Sequence, residues 1–518
     1  MTDNEPRASS PSNLIGGSWE RLPGGSLQSR SPADPSLVIW DGSERDADVD
    51  RAVSAAIAAQ PAWRAWDIER RAAVLLRAKE IFIRRVSAFT SLLRAEVGKP
   101  TWDARAEAAL LAAKIEITLD CGPHGGRRRV TPYGFAASPT REARCDFRPH
   151  GVMAVVGPFN FPAHLPNGHI IPALLMGNAV ILKPSEKAPA VGQLLAEVYD
   201  EALVGSGAPG GVLNLVQGGP AVASRLVAHD GIDGVLFTGS FAVGRRILEA
   251  NLDRPGRISA LEMGGSSAAI VMPDANLRQA LIECVRSAFV GAGQRCTCTR
   301  RLIVHRDAAA VFIPALCNAA RALVVAPPDS PRPVFMGPMI SSAARRSVLE
   351  FQASARAPDG EILVPTTELD PDGKGGWYLS PGIMRVRRFV ASTQPGDAGR
   401  DEEIFGPLLR VSVTETLDDA LAQANATRFG LAASIFTRDE TAIRRFLTEV
   451  RAGCLNVNTG TAGASSKLPF GGLGLSGNHR PAGSFSLDYC AYPVASMVER
   501  GDDAPMPEGV CLDPAWLN

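Results

Sequence analysis

The chain has 518 residues, 45% of them hydrophobic, and its 54 Lys and Arg balance its 54 Asp and Glu. This length predicts about two to four domains, and the even charge shows no basic excess that would indicate binding to nucleic acids or anionic membranes. No apolar run reaches the ~18 residues that cross a bilayer, and the polar N-terminus lacks the apolar core of a secretory signal. Nine cysteines without regular spacing predict reduced thiols, a cytoplasmic location and no metal site.

The first part of the chain predicts a loose N-terminus followed by helices. Residues 1–30 are rich in Ser, Gly and Pro, so we expect them to be frayed. Acidic residues in the first turn favour a helix over Asp46–Gln60. Apolar residues at helical spacing predict a second helix, which we expect to cover Asp67–Glu96. A third helix covers about Trp102–Leu119, and the basic run Arg127–Arg129 is interpreted as a solvated turn.

From residue 151 onwards, short apolar runs alternate with helical segments. The runs are Val152–Val156, Ala179–Lys183, Val212–Val216, Gly234–Thr238 and Ile258–Glu262. Since parallel strands need crossover connections, this alternation predicts a doubly wound parallel sheet. Ligands of such sheets bind beyond the carboxyl ends of the strands. The residues that follow each run are therefore candidates for binding, and a similar alternation after Cys296 predicts a second α/β region.

Cys296 lies in a glycine-rich turn after a predicted helix over about Leu277–Phe289. Gly291 and Gly293 can adopt positive φ and bring backbone N–H groups close to the sulfur. Local N–H groups or cations would lower the pKa of the thiol and supply the thiolate that a nucleophile needs. The alternative is an inert buried cysteine, which is the commoner state of a free thiol.

Polar residues at two strand ends suit a dinucleotide. Gly239 and Ser240 open a helix directly after a strand, where free N–H groups can hold a pyrophosphate. The alternative there is a plain strand–helix turn. Glu186, close to Lys183, can accept hydrogen bonds from ribose hydroxyls. The alternative for these two residues is a surface ion pair that contributes little.

Two further residues suggest acyl chemistry. Glu262 ends a strand beside flexible glycines and can act as a general base for water, although glutamates are common at strand ends. Asn160 lies between aromatic residues and can donate to a developing oxyanion, or it can form an Asx turn. With a cysteine thiolate and a nicotinamide these groups make one mechanism, in which thiolate attack, hydride transfer and hydrolysis of a thioester oxidise an aldehyde.

The chain resembles the aldehyde dehydrogenase superfamily from about residue 12 to residue 498. The matching motifs are Pro158–Pro162, Gly177–Asn178, Lys183–Glu186, Phe237–Ser240, Leu261–Gly265, Gly293–Cys296, Glu402–Pro407 and Pro469–Gly472. The resemblance implies an α/β fold with a doubly wound NAD domain, a second α/β catalytic domain and a small oligomerisation element. The implied boundaries are 1–125 with 149–265, then 266–477, and 126–148 with 478–518.

The resemblance also implies roles for individual residues. Cys296 is the implied nucleophile, Glu262 the general base and Asn160 the oxyanion donor. A base at Glu262 implies that water, and not coenzyme A, accepts the acyl group. The implied assembly is a homodimer or homotetramer, built through a hairpin near 130–148 and the tail near 484–498.

NAD is the implied cofactor. The implied cofactor residues are Lys183 and Glu186 at the adenosine ribose, Gly239, Ser240 and Gly244 at the pyrophosphate, and Glu403 and Phe405 at the nicotinamide ribose and ring. A carboxylate at position 186 suits the free 2′-hydroxyl of NAD and would repel the 2′-phosphate of NADP.

Further motifs resemble one branch of this family, whose small-molecule aldehyde carries two carboxylates. They include Arg148–Gly151, Pro162–His169 and Gly477–Pro481. Such a substrate needs cations or amide donors, and the candidates are Arg295, His164, Asn167 and Arg480. For Arg295 and Arg480 the alternative is a salt bridge within the fold. Other functions also stay open: oxidation of another ω-semialdehyde, a binding protein on a retired enzyme fold, and a cofactor-free cysteine hydrolase.

Overall fold

The computed structural model describes residues 10–354, 360–502 and 504–517. The helices are α1 (Ala47–Arg64), α2 (Ile68–Arg84), α3 (Val86–Val97), α4 (Thr101–Leu119), α5 (His164–Leu175), α6 (Pro189–Val204), α7 (Pro220–Ala228), α8 (Phe241–Glu249), α9 (Leu277–Phe289), α10 (Arg306–Arg321), α11 (Ser342–Ser354), α12 (Leu417–Asn425) and α13 (Glu440–Glu449). The strands are β1 (Ser12–Ile15), β2 (Ser18–Arg21), β3 (Leu27–Arg30), β4 (Val38–Gly42), β5 (Tyr133–Ala136), β6 (Arg141–Pro149), β7 (Val152–Val156), β8 (Ala179–Lys183), β9 (Leu213–Leu215), β10 (Gly234–Thr238), β11 (Ile258–Glu262), β12 (Ser267–Val271), β13 (Thr299–His305), β14 (Gly360–Val364), β15 (Glu368–Leu369), β16 (Tyr378–Leu379), β17 (Gly382–Val386), β18 (Leu408–Thr414), β19 (Ala432–Phe436), β20 (Cys454–Val457), β21 (Pro469–Phe470), β22 (Ala482–Gly483) and β23 (Ala491–Glu499).

The first sheet confirms the predicted doubly wound arrangement. Its strand order is β11-β10-β7-β8-β9-β1-β2, and the five strands from β11 to β9 are parallel. Every residue of β7 is buried, because Met153 and Val155 pack into the core on one face and Val152 and Ala154 into the core on the other. Strand order reverses between β7 and β10, so a crevice opens beyond the carboxyl ends of these two strands.

A second sheet follows in the order β14-β17-β18-β13-β12-β19-β20, and apart from β14 it is parallel. A third sheet, in the order β23-β6-β5, is antiparallel and joins the segment before β7 to the end of the chain. The α/β class is therefore as predicted. The domain boundaries stay a prediction. Within the described ranges, no helix is long and apolar enough to cross a bilayer, and no cluster of His, Cys, Asp and Glu suits a metal ion.

The N-terminal expectation is wrong for the residues that the structure describes. Ser12–Ile15 is a buried strand that pairs with β2 and β9. Asn13 fixes it, because its amide donates to Asp48 at 2.8 Å and its oxygen accepts from the Gln217 backbone at 2.8 Å. The short buried run extends an existing sheet, so its tertiary contacts order it. Residues 1–9 lie outside the described residues.

Two helix predictions also need correction. The first helix continues past Pro61, since Ala65 N–H bonds to the Pro61 carbonyl. The second predicted helix is two, α2 and α3, because the chain turns at Arg85 (φ −97°), whose side chain pairs with Glu201 on α6 at 2.7 Å. The basic run is a turn, as predicted, with 3₁₀ geometry; Arg128 is exposed, whereas Arg127 pairs with Glu69 and Arg129 with Asp488 at 2.5 Å.

Candidate active site

The Cys296 turn is held in a left-handed backbone conformation. After α9, Gly291, Ala292 and Gly293 have φ of 61°, 55° and 68°. The two glycines adopt the predicted positive φ, and a Cβ atom at Gly293 would overlap the Gly406 carbonyl. The Cβ atom of Ala292 makes this left-handed conformation sterically unfavourable, whereas glycine has no Cβ atom. The turn therefore stores backbone strain next to Cys296, as functional loops often do.

Cys296 is half-buried and its thiol is neutral in this environment. Burial, followed by the negative charges of Glu403 and Glu262, raises the pKa of Cys296 to about 12. The expectation of a lowered thiol pKa is wrong for this arrangement, because its charged neighbours are carboxylates. A change in the site that removes negative charge or adds positive charge would move the thiol towards the reactive thiolate.

Glu262 lies at the end of β11, where the chain passes close to the segment 471–482. Its carboxyl is buried, accepts a hydrogen bond from the Ala482 backbone, and has an oxygen, Oε2, with no partner among the described residues. Burial raises the pKa of Glu262 well above its ordinary value, and the Ala482 N–H opposes this shift. A raised pKa makes the carboxylate form of Glu262 a stronger proton acceptor, which suits a general base.

Asn160 ties the β7–α5 loop to the Cys296 turn. Its Nδ2 donates to the Gln294 carbonyl at 2.9 Å, and its Oδ1 accepts from the Phe161 backbone at 3.1 Å. Gln294 is fixed in turn, because its side-chain oxygen accepts from the Ile340 backbone at 2.9 Å. The amide nitrogen of Asn160 carries a second N–H, so it can still donate to another acceptor.

A cavity of about 620 Å³ lies at the crevice between β7 and β10. Its volume is within the range of cofactor and small-molecule sites. The predicted site residues that line it are Asn160, Lys183, Glu186, Gly239, Ser240, Cys296, Glu403 and Phe405. The strand register brings them together, since Val156 pairs with both Lys183 and Phe237, and Thr238 pairs with Glu262.

One end of the cavity carries a buried cation and a helix N-terminus. Lys183 is only 3% exposed and lies 3.9 Å from Glu186, so the alternative of a plain surface pair is wrong. Burial lowers the pKa of Lys183, and Glu186 opposes this. Ser240 caps α8 by accepting from the Val243 backbone at 3.4 Å. A Cβ at Gly244 would overlap Met263, so this glycine lets α8 approach the end of β11.

Glu403 and Phe405 lie at the other end, near Cys296. Glu403 Oε1 accepts from the Gly265 backbone at 2.9 Å, and a Cβ at Gly264 would overlap its carboxyl. Burial raises the pKa of Glu403, while the Arg300 charge and the Gly265 N–H oppose the shift. Phe405 packs edge-on against Phe159, with ring centroids 5.9 Å apart. These residues form a wall that a flat ring and a ribose can contact.

The four predicted substrate residues have different surroundings. Arg295 forms a salt bridge with Asp103 at 2.5 Å, as the alternative of a salt bridge within the fold predicted. His164 is partly exposed, and burial of its ring and nearby lysines lower its pKa to about 3. Asn167 is fully buried, with its amide bonded to Leu111 and its oxygen to Tyr199, which favours a structural role. Arg480 is exposed.

Sequence reasoning missed the buried residues that support these side chains. Glu107 on α4 accepts hydrogen bonds from the backbone of Ala163 and His164 and pairs with Lys99 at 2.5 Å. Gln294 fixes the position of Asn160, as described above. The available signal was charge at helical spacing, because Asp103, Glu107 and Lys114 lie on one buried stripe of an otherwise Ala- and Leu-rich helix.

Comparisons with known proteins show what the chain is similar to. A profile of the aldehyde dehydrogenase family matches residues 20–493. The N-succinylglutamate 5-semialdehyde dehydrogenase 2 of Caulobacter vibrioides is 43% identical over 485 residues, 93% of this chain and 95% of that protein. The N-succinylglutamate 5-semialdehyde dehydrogenase of Chromobacterium violaceum is 41% identical over 486 residues, 93% of this chain and 96% of that protein. The structure of 1-pyrroline-5-carboxylate dehydrogenase from Thermus with bound NAD matches with a TM-score of 0.86 and 29% identity, over 95% of this chain and 93% of that chain.

Proposed function

The chain belongs to the aldehyde dehydrogenase family, and on this premise we propose that it oxidises N-succinyl-L-glutamate 5-semialdehyde to N-succinyl-L-glutamate, a step of arginine catabolism, with NAD. It is an enzyme that oxidises a small-molecule aldehyde with a nicotinamide cofactor. The choice of aldehyde rests on the names of the relatives that cover most of both chains. The main alternative is another ω-semialdehyde or an aliphatic aldehyde.

One observation supports the mechanism above others: Cys296 and Asn160 line the same cavity as Lys183, Glu186 and Ser240. A dinucleotide suits this cavity, because a buried ammonium, a carboxylate and a helix N-terminus offer donors and acceptors to ribose and phosphate. When bound, the cofactor accepts a hydride. Glu186 at the ribose end favours the free 2′-hydroxyl of NAD over the phosphate of NADP.

In the proposed reaction the Cys296 thiol releases its proton to water, and the sulfur adds to the aldehyde carbon to form a thiohemiacetal anion. The side-chain amide of Asn160 and the backbone N–H of Cys296 donate to the oxygen that becomes negative. Loss of the hydride leaves a thioester on Cys296. Glu262 then removes a proton from a water molecule, the hydroxide attacks the thioester, and the carboxylic acid leaves with the thiol regenerated. The raised pKa of Glu262 suits this proton transfer.

We extend the proposal to compartment and assembly. All nine cysteines are free, which fits a reducing cytoplasm. The exposed aromatic residues Tyr133 and Phe135 lie on an edge strand of the third sheet, so we propose that this sheet joins subunits of a homodimer or homotetramer.

The test is formation of NADH from N-succinylglutamate semialdehyde, succinate semialdehyde and butanal, with NAD and with NADP. We expect the succinylated aldehyde with NAD to react best. Cys296→Ala should abolish turnover, and the matched variant Cys298→Ala, at a buried thiol two residues away, should keep it. Equal rates on all three aldehydes would contradict the proposed substrate, and no reduced cofactor from any of them would contradict the proposed reaction.

A further inference from the structure

A group of buried charged side chains lies behind Asn160, between α4, α5 and the Cys296 turn. Lys99 Nζ lies 2.5 Å from Glu107, and both side chains are almost fully buried. Arg295 lies 2.5 Å from Asp103, whose side chain is 2% exposed. Each carboxylate of this group therefore already has a cation.

Lys114 is the third cation of this group, and it has no such partner. It is 3% exposed, and Nζ donates to the Gly483 carbonyl at 2.6 Å. Within the described part of the chain, no carboxylate lies within ion-pair distance of it. An ammonium has three donors, and buried lysines are almost always paired. Burial lowers the pKa of Lys114 to about 8, and the nearby Cys490 opposes this shift.

His164 is a second polar group beside Lys114 with an unused hydrogen-bonding atom. Its Nδ1 is buried and makes no hydrogen bond to any described residue. The charges of Lys114 and Lys99 add to the effect of burial and keep the imidazole neutral. A neutral imidazole can donate one hydrogen bond to an anion and adds no repulsion to a second cation. Lys114 therefore has donors beyond the one that the Gly483 carbonyl uses, and His164 has one free ring nitrogen among the described residues.

Lys114 is connected to Glu262 through the backbone of the short strand β22. The Gly483 carbonyl that holds Lys114 is one residue from Ala482, whose N–H bonds to the Glu262 carboxyl. Helix α5 packs against this short strand, β22. Lys114 is therefore linked to Glu262 through two consecutive residues of one strand.

The same place has an open side. On α5, His164, Leu165 and Gly168 are partly exposed, although most of the helix is buried. These positions share one face of the helix, so this face borders an accessible space. A Cβ at Gly168 would lie 3.8 Å from Lys114 Cε, so no side chain at this position separates the lysine from that face.

We propose that Lys114, with His164 beside it, binds a carboxylate of the aldehyde substrate and selects anionic aldehydes over neutral ones. The inference rests on the proposed function and adds a specificity residue to it. A carboxylate would supply the counter-charge that Lys114 lacks and an acceptor for its unused donors. Charge-assisted hydrogen bonds of this kind are the strong ones.

The test compares Lys114→Met, Lys114→Gln and wild type. Met keeps the length of the side chain and removes charge and donors, whereas Gln removes the charge but can still donate to the Gly483 carbonyl. Lys79→Met is the matched control, because Lys79 pairs with Glu116 on the outer side of α4 at 2.8 Å. The measurements are KM and kcat for N-succinylglutamate semialdehyde and for butanal, and the affinity of the product N-succinyl-L-glutamate by calorimetry.

We expect both Lys114 variants to raise KM for the anionic aldehyde and weaken product binding roughly 10- to 100-fold, the effect of losing a hydrogen bond to a charged group. Turnover of butanal and the behaviour of Lys79→Met should stay close to wild type. Equal losses on both aldehydes in Lys114→Met, restored in Lys114→Gln, would show a structural role and overturn the inference. If the wild type oxidises butanal but its affinity for the product equals that of Lys114→Met, this inference is overturned and the proposed function is not. Wild type that oxidises no aldehyde overturns the proposed function as well.

Discussion

The reactivity of Cys296 depends on the charges around one sulfur atom. Burial disfavours the thiolate, and the nearby carboxylates of Glu403 and Glu262 disfavour it further, so the pKa of Cys296 rises to about 12. Below this pKa the thiolate fraction increases about tenfold with each pH unit. The sequence contained the cysteine and both glutamates, but the fold decides that all three meet.

This environment predicts how the free enzyme reacts with iodoacetamide. Alkylation of Cys296 should be slow at neutral pH and should rise steadily with pH, without a plateau in the neutral range. Glu403→Gln removes a negative neighbour, lowers the pKa of the thiol and should speed alkylation about three- to tenfold at a given alkaline pH. Peptide mass spectrometry measures the rate at Cys296, and the exposed Cys121 is the internal reference. An unchanged or slower rate in Glu403→Gln would show that this carboxylate does not control the thiol.

At the scale of an element, the turn after α9 is the part that positions the nucleophile. Three consecutive residues have positive φ, and the turn is fixed by Gln294, which also accepts the hydrogen bond of Asn160. The sequence predicted the two glycines and their positive φ. It did not predict that Ala292 shares this conformation, because the tertiary contacts of the turn override the preference of alanine.

Two glycines with similar backbone angles give a matched test of this turn. A Cβ atom at Gly293 (φ 68°) would overlap the Gly406 carbonyl, whereas a Cβ atom at Gly207 (φ 71°) would meet no atom within 4 Å. Gly207→Ala should cost only the strain of a left-handed alanine, about 1 kcal/mol of unfolding free energy. Gly293→Ala should cost about 3 kcal/mol or more and displace Cys296. Denaturant unfolding and turnover measure these effects; equal costs for the two variants would contradict the packing argument.

At the scale of the whole molecule, the third sheet is the surface that stands out. Tyr133 and Phe135 lie on one face of the edge strand β5 and are 63% and 61% exposed. Both edges of this sheet, β5 and β23, are unpaired within the described residues. Exposed aromatic residues on an open edge strand favour pairing with another chain.

We therefore predict that a double variant, Tyr133→Lys with Phe135→Lys, lowers the oligomeric state. Charges on this face would repel a second copy and remove apolar contact area. Light scattering after size-exclusion chromatography measures the mass, and Leu252→Lys is the control, at an exposed leucine (75%) away from this sheet. A wild-type monomer, or an unchanged mass in the double variant, would contradict the proposed interface.

The sequence predicted the strands of the first sheet well, since buried parallel strands read as apolar runs; β7, β8, β10 and β11 begin and end at the predicted residues. The sequence-based prediction failed where contacts between distant parts of the chain determine the local structure. The break between α2 and α3 occurs at Arg85, which pairs with a glutamate of α6. Strand β1 is held in place by Asn13 and its hydrogen-bond partners. The same holds for the candidate site. The motifs indicated the reactive residues, but only the packing of α4 on α5 shows that Lys114 has no carboxylate partner among the described residues.

The central claim is that Cys296 forms a thioester that Glu262 hydrolyses. The most direct measurement is the intact mass of Glu262→Gln after mixing with NAD and N-succinylglutamate semialdehyde. The account predicts one NADH per active site followed by slow turnover, a mass increase equal to the acyl group, and its location on the Cys296 peptide. Cys296→Ala in the same background should show neither NADH nor added mass. Rapid continuous turnover of Glu262→Gln, or acyl mass on another residue, would contradict the account.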